Sequence, residues 1–237
     1  MTSTKISYQA GSDGSFYQGA GRGLHRNLSF SEICLVLVIV GLVLAGVLKG
    51  RQLIEISRLN KAVRDMSSIA AAVLSYQDRY GTKPGDDGPI ELLTARGSNW
   101  AAVTAGDSDN LLNVPLNATF SGINEGGAFW QHLRSAGFLS GDPELTGSAA
   151  LPENPWGGRI GITTDTMGGG LAGTKLCQSQ LKGTTALSLD RELDDGVAYM
   201  GAVRATLGVA GTNTNPLPAA LIAPYSAEKI YTVCVQI

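Results

Sequence analysis

The sequence has few of the residues on which most enzymes rely. Its 237 residues include two histidines, His25 and His132, and three cysteines. Catalytic triads and most transition-metal centres need several such side chains in a fixed arrangement. The chain lacks the short motifs of zinc peptidases, α/β-hydrolases and phosphate-binding loops, and Gly168–Gly170 predicts only a turn. We therefore expect no enzymatic activity, and we expect His132 to be a partly buried packing residue.

Charge is also scarce, and its two signs are balanced. Charged residues make up 16% of the chain, and the formal net charge is -2. A protein that binds nucleic acid or anionic lipid through its overall charge carries a basic excess. The composition therefore predicts no specific nucleic-acid partner.

Proline is absent before Pro84, so a long helix can form without interruption. Ile33–Leu48 is an apolar run of 16 residues between Glu32 and Lys49. As a helix it spans about 24 Å, close to the roughly 30 Å of a bilayer core once flanking residues are added. A secretory signal peptide is the competing interpretation, but no small-residue cleavage pattern follows the run.

An amphipathic pattern continues beyond the apolar run. Apolar residues recur there at spacings of three and four: Ile56, Leu59, Val63, Met66, Ala70 and Val73. Gly81 and Pro84 end the pattern. We predict one helix over residues 28–80, about 80 Å long, with residues 28–49 as a transmembrane or filament-core half and residues 50–80 as an amphipathic half. A domain of this size does not need such a helix, so its first half must find partners outside its own chain.

Two further regions flank this helix. Residues 1–27 lack an apolar period and predict a mildly basic leader. Residues 81–237 hold most of the 31 glycines and predict a Gly-rich globular α+β domain. Its predicted elements are a short helix at Ala128–Ala136 and strands at Arg159–Thr163, Gly170–Cys177, Val197–Val203 and Lys229–Gln236, which would form a small, largely antiparallel sheet.

The cysteines divide between the predicted long helix and the Gly-rich region. Cys34 lies in the apolar run, whereas Cys177 and Cys234 lie near the ends of two predicted strands. If the domain is exported, these two can form a disulfide worth about 4 kcal/mol by loop closure. In a cytosolic domain they would instead be reduced, buried cysteines.

Several Asp-rich segments offer oxygen ligands for a cation: Asp86 with Asp87, Asp107 with Asp109, and Asp190 with Asp194 and Asp195. None has the spacing of an EF-hand loop, and Asp before Gly is common in turns. We predict no cofactor, with calcium held by Asp194 and Asp195 as the alternative.

The segment Leu28-Ser-Phe-Ser-Glu-Ile-Cys-Leu, with the apolar run that follows to Gly50, resembles the prepilin cleavage and methylation segment of type IV pilins and type II secretion pseudopilins. In that family a peptidase that is also an N-methyltransferase removes a basic leader, and a Glu stands fifth in the mature chain. The resemblance implies cleavage between Asn27 and Leu28, methylation of Leu28, and a role for Glu32 in assembly. Further likeness to longer Gram-negative prepilin-like proteins lies at Ser75–Tyr80, Pro84–Asp87, Phe129–Arg134 and Leu193–Gly196.

The chemistry of Glu32 supports a role in assembly. A carboxylate in an apolar helix costs about 2.5–3.5 kcal/mol at the centre of a bilayer and needs a partner. The N-terminal ammonium of a neighbouring subunit would supply one and fix the stagger between chains. The alternative is that Glu32 caps the first turn of its own helix.

The resemblance implies a type IV pilin-like α+β fold and a structural subunit of a pilus or related filament. Its expected partners are copies of itself, the prepilin peptidase and an inner-membrane assembly platform. Before assembly the chain would lie in the inner membrane with a periplasmic domain, and afterwards in an extracellular filament. Alternatives are a minor pilin or tip adhesin, a secretion pseudopilin, and an uncleaved single-pass periplasmic protein.

Two positions depart from the family pattern. Asn27 stands where the family leader ends in Gly, so either the peptidase tolerates Asn, the chain stays uncleaved, or the register differs. Lys49 stands where many major pilins have a proline, which leaves glycines as the positions at which the helix can bend.

Overall fold

The computed structural model describes residues 29–219 and 221–237. The predicted leader, including Asn27, and the predicted new N-terminus Leu28 lie outside the described residues. The chain divides into two compact units, one ending at Lys49 and the other comprising Gly50–Ile237.

The longest element is helix α1, which runs Phe30–Tyr80 and belongs to both units. No proline interrupts it. It ends where Gly81 takes a left-handed φ of 74° and donates its N–H to the Gln77 carbonyl at 2.8 Å. Glycine adopts this conformation without the steric cost of a Cβ atom, which makes it a common helix stop.

In the second unit, one stripe of α1 is buried in the domain core. Its fully buried members recur every three or four residues: Ala62, Met66, Ile69, Ala72 and Tyr76. Of the apolar positions predicted from the spacing, Met66 belongs to this buried stripe, and Leu59, Val63 and Val73 are partly buried at its margin. Ile56, the first position of the predicted apolar pattern, is 54% exposed. The stripe includes two alanines, Ala62 and Ala72, because small side chains let the helix approach its neighbours closely, a preference that the spacing of large apolar residues does not reveal.

A four-stranded antiparallel sheet packs with this stripe. Its strands are β1 Ile160–Thr163, β2 Lys175–Lys182, β3 Val203–Gly208 and β4 Ile230–Gln236, in the order β1-β2-β4-β3. The predicted α+β class, with a long N-terminal helix and a small antiparallel sheet, is confirmed.

The two faces of the sheet differ in chemistry. The cross-strand partners Ile162, Leu176, Val235 and Val203 lie on one face, and they share a core cluster with the buried stripe of α1. Cys177, Cys234 and Arg204 lie on the other face, because successive residues in a strand point to opposite sides. That second face is buried under loops: the Arg204 Nε donates to the Gly168 carbonyl at 2.5 Å.

Strands β1 and β4 match the prediction to within one residue. Strands β2 and β3 both begin and end later than predicted, and the segment predicted for β3 shares only Val203 with it, so that prediction was wrong. Three glycines with left-handed φ, the last of them Gly173, precede β2. Gly196 and Gly201 take the same conformation before β3. Left-handed residues break an extended strand, so both predicted segments begin in turns.

The described residues contain three shorter α-helices, α2 Ile90–Thr94, α3 Asn124–Ser135 and α4 Gly183–Leu193, and four short 3-10 helices. Helix α3 begins four residues before the predicted Ala128, and α4 was not predicted. Helix α4 opens with Gly-Thr-Thr, which has low helix propensity. Its first residue is Gly183 because a Cβ there would lie 1.8 Å from the Ser226 carbonyl oxygen.

Candidate functional site

The first half of α1 presents an unbroken apolar surface. Every residue from Phe30 to Lys49 is exposed. Glu32 is the single charged residue between Phe30 and Leu48. Within the described residues, α1 is the one helix long and apolar enough to cross a membrane. An exposed apolar surface of this extent marks a site of contact with lipid or with another protein.

Glu32 forms a cap at the start of α1. Its Oε2 accepts the backbone N–H of Ser29 at 2.8 Å, while the Ser29 carbonyl accepts the N–H groups of Glu32 and Ile33 at 2.9 and 3.1 Å. This is half of a capping box, in which an acidic third residue satisfies a free N–H at the helix start. The capping interaction that the sequence left as an alternative is therefore present in the single chain. The predicted cleavage site between Asn27 and Leu28 lies outside the described residues.

Glu55 attaches the amphipathic half of α1 to two distant segments of the second unit. Its Oε1 accepts the Trp156 Nε1–H at 2.8 Å and the Thr185 hydroxyl at 3.0 Å. Trp156 lies in the loop before β1, and Thr185 lies in α4. One carboxylate oxygen thus joins three parts of the domain.

A buried polar network fixes the C-terminal end of α1. The Tyr76 hydroxyl donates to Asp87 Oδ2 at 2.6 Å, and the Arg96 Nη1 donates to the same oxygen at 2.7 Å. The Arg96 guanidinium stacks over the Tyr80 and Trp100 rings, with 4.3 and 4.9 Å to their centroids. Burial alone would raise the pKa of Asp87, but the hydrogen bonds from Arg96 and Tyr76 outweigh it and lower the pKa.

His132 has a structural role beside this network. Its Nδ1 accepts the Gly85 N–H at 3.0 Å, so the proton lies on Nε2, which donates to the Thr104 carbonyl at 2.8 Å. Burial lowers the pKa of His132 to about 4, so the ring is neutral at physiological pH. His132 was predicted to be partly buried; it is fully buried, with both ring nitrogens hydrogen-bonded.

A disulfide joins Cys177 on β2 to Cys234 on β4, the pair that the sequence predicted. Both residues are fully buried and face each other directly across the sheet. The bond therefore fixes the C-terminal strand to the centre of the domain. Cys34, in the apolar half of α1, is exposed and free.

Asp194 and Asp195, the alternative calcium ligands, hold the turn between α4 and β3. Asp194 Oδ2 accepts the Ala202 and Val203 N–H groups at 2.5 and 3.2 Å, and Asp195 Oδ1 accepts the Val197 N–H at 2.8 Å. Together with Asp190 they can bring three oxygens within 4.8 Å.

Asp190 is itself engaged on both oxygens. It accepts the Gly196 N–H at 3.1 Å and the Tyr225 hydroxyl at 2.6 Å. The carboxylates at this turn are thus already used in folding the loop.

Sequence reasoning predicted the disulfide cysteines and drew attention to Glu32, whose role in assembly stays a prediction, but it missed the partners of Glu55, Asp87 and Asp190. Those pairs are 6 to 130 residues apart in sequence and carry no motif. No family model, curated protein or solved structure matches the chain.

Proposed function

We propose that the chain is a structural subunit of a type IV pilus or a related filament. The first half of α1 holds it in the inner membrane before assembly and forms the filament core afterwards. The observation that carries this proposal is the surface from Phe30 to Leu48, which is exposed throughout and apolar apart from Ser31, Glu32 and two glycines. That surface favours either lipid or the same helix of another copy, because both remove it from water.

The disulfide and the α1 contacts agree with this location. Disulfides persist in oxidising compartments such as the bacterial periplasm, and Cys177 and Cys234 lie in the unit that would be exported. Glu55 and the Tyr76–Asp87–Arg96 network bind the second half of α1 to its domain at two separate places. These contacts fix the second half of α1 within the Gly50–Ile237 unit.

In the proposed assembly, Glu32 exchanges its cap for an ion pair. In the single chain its carboxylate accepts one neutral backbone N–H. Both bonds have a charged acceptor, but the N-terminal ammonium of the next subunit would also bring a full positive charge, and two opposite unit charges attract strongly in a low-dielectric helix bundle. Cleavage before Leu28 supplies that ammonium.

The substitution Glu32→Gln tests this proposal, because glutamine keeps the cap but removes the charge. We expect the variant to insert in the membrane and fold normally, yet to be lost from filaments sheared off the cells. Glu144→Gln, on an exposed loop, is the matched control and should assemble like the unmodified chain. Normal filaments from Glu32→Gln would leave Glu32 with capping alone and overturn its assembly role.

The second candidate is an uncleaved, single-pass anchor for a periplasmic domain. Two observations favour it: Asn27 stands where a leader-terminal glycine is expected, and the Glu32 carboxylate is already satisfied by Ser29. A retained leader leaves no free amine at Leu28. In that case the protein stays in the membrane fraction, and Glu32→Gln changes nothing.

A further inference from the structure

Three carboxylates from distant parts of the sequence meet near the end of α1. Asp86 follows that helix, Asp107 lies in the loop before α3, and Glu125 lies in the first turn of α3. One oxygen from each lies within 4.8 Å of the other two. This cluster is separate from Asp190, Asp194 and Asp195.

Two of the three carboxylates are buried, and neither forms an ion pair with a basic side chain in the described residues. Asp86 is 2% exposed and Glu125 is 7% exposed. None of the ion pairs in the described residues includes Asp86, Asp107 or Glu125, and the nearby Arg96 is engaged by Asp87. Burying negative charge without a partner is strongly unfavourable, so such groups are normally paired or bound to a metal.

Glu125 also has an oxygen that no protein group satisfies. Its Oε2 accepts the Asn113 N–H at 2.5 Å, but its Oε1 is buried and has no hydrogen-bond partner in the described residues. The neighbouring Asp86 uses its Oδ1 to accept the Asp109 N–H at 3.0 Å. Buried polar atoms in folded proteins almost always have a partner, so an unpaired carboxylate oxygen beside two further carboxylates points to a cation as its partner.

We propose that Asp86, Asp107 and Glu125 bind one divalent cation, with Ca²⁺ preferred over Mg²⁺. Oxygens on opposite sides of a calcium ion lie about 5 Å apart, since each Ca–O distance is about 2.3–2.6 Å. The 4.8 Å limit on the three oxygens fits that geometry. Calcium takes six to eight oxygens in flexible arrangements, whereas magnesium requires a near-ideal octahedron, and a site made from two loops and a helix start suits the former.

The site has an entry path and room for further ligands. A surface cleft of about 400 Å³ is lined by Asp107 and Glu125 together with Thr104, Asn113 and Asn124. Water and backbone or amide oxygens in this cleft can complete the coordination. The bound ion would join the end of α1, the loop before α3 and α3 itself, a region of the domain that contains no strand of the described sheet. This proposal does not depend on filament assembly.

Calorimetric titration of the full chain with CaCl₂, in detergent and after removal of bound metal with EGTA, tests the site. We expect one Ca²⁺ per chain and weaker binding of Mg²⁺. Glu125→Gln and Asp107→Asn should each weaken Ca²⁺ binding at least tenfold. Asp195→Asn removes one carboxylate from the other acidic cluster, so it is the matched control and should bind like the unmodified chain.

Thermal unfolding gives a second readout. Saturating Ca²⁺ should raise the unfolding midpoint of the unmodified chain and of Asp195→Asn by about 3 °C or more, because the ion binds only the folded state. Glu125→Gln should show no such rise; if that variant does not fold, exposed Asp107→Asn gives the answer. The proposal is overturned if the chain binds no Ca²⁺ up to about 10 mM. It is also overturned if Asp107→Asn and Glu125→Gln bind as tightly as the control, or if Asp195→Asn alone loses binding.

Discussion

At the scale of single residues, the end of α1 depends on polar side chains that are buried together. Asp87 receives hydrogen bonds from both Tyr76 and Arg96, and His132 satisfies a backbone N–H and a backbone carbonyl at once. In a low-dielectric interior each such bond is strong, and each broken one leaves an unsatisfied group. We therefore expect substitutions of these residues to lower the free energy of unfolding.

Asp87→Asn should destabilise the domain by about 2–4 kcal/mol, since it leaves the Arg96 charge without its partner. Asp65→Asn is the control, because it breaks the Lys61–Asp65 ion pair on the surface of α1. It should lower the free energy of unfolding by less than about 1 kcal/mol. Urea unfolding of the full chain in detergent, followed by near-ultraviolet circular dichroism, measures both. Equal losses would contradict the account of the buried network.

His132 should make stability depend on pH. Its pKa is about 4 in the folded chain, against about 6.5 when unfolded, so the unfolded chain takes up a proton in between. This contribution is complete above pH 6.5 and is lost as the pH falls toward 4, by about 3 kcal/mol in all. Asp86, Glu125 and Asp190 oppose it, since burial raises their pKa values.

The variant His132→Gln isolates the histidine from those carboxylates. We expect it to be less stable at pH 7 and to lose less stability than the unmodified chain between pH 7 and pH 4. Unfolding measured across that range gives both curves. Parallel curves would show that the histidine ring is not buried and neutral as described.

The sequence points to some of the residues at these sites and gives no sign of others. Glu32 stands out because a single charge interrupts an apolar run, and Cys177 and Cys234 stand out because few cysteines exist. Asp87 and Arg96 look like ordinary turn and surface residues, and only the fold brings them to 2.7 Å from each other. Glu125 likewise looks in the sequence like an acidic residue that favours the first turn of α3. Only the folded loops bring Asp86 and Asp107 beside it.

At the scale of elements, α1 has two halves with different surroundings. The second half buries one stripe in the domain, whereas the first half is exposed along its whole length. Truncating the buried stripe should therefore cost stability, and truncating an outward residue of the same half should not.

Met66→Ala should lower the free energy of unfolding by about 2–4 kcal/mol, because it removes buried methylenes and leaves a cavity. Leu74→Ala, at a position that is 67% exposed, should change it by less than about 0.5 kcal/mol. Urea unfolding distinguishes the two. A large loss from Leu74→Ala would contradict the assigned face of α1.

The disulfide should stabilise the sheet through loop closure. The bond closes a loop of 57 residues, which is worth about 4 kcal/mol in the chain-entropy model. The double substitution Cys177→Ala and Cys234→Ala should lower the free energy of unfolding by about 4 kcal/mol. Cys34→Ala is the control and should leave it unchanged, because Cys34 is free and exposed.

Sequence predicts elements well where the pattern is long or strictly alternating, as in α1 and β4. It fails where backbone conformation decides the boundary. Left-handed glycines shift the starts of β2 and β3, and α4 forms despite a Gly-Thr-Thr start because its Leu189 is fully buried against the core. Local backbone conformation decides the first two places, and tertiary packing overrides local propensity only at α4.

At the scale of the whole molecule, the proposed function divides between the two units. The unit ending at Lys49 would insert in the membrane and take part in assembly, and the unit Gly50–Ile237 would form the exposed surface of the filament. In this proposal the first unit becomes a filament core after cleavage before Leu28, when the new amine can pair with Glu32 of a neighbour.

Mass spectrometry of the chain recovered from sheared extracellular filaments tests that claim most directly. The account predicts that the chain is present there and begins with an N-methylated Leu28. A chain found only in the membrane fraction, with residues 1–27 still attached, would contradict it.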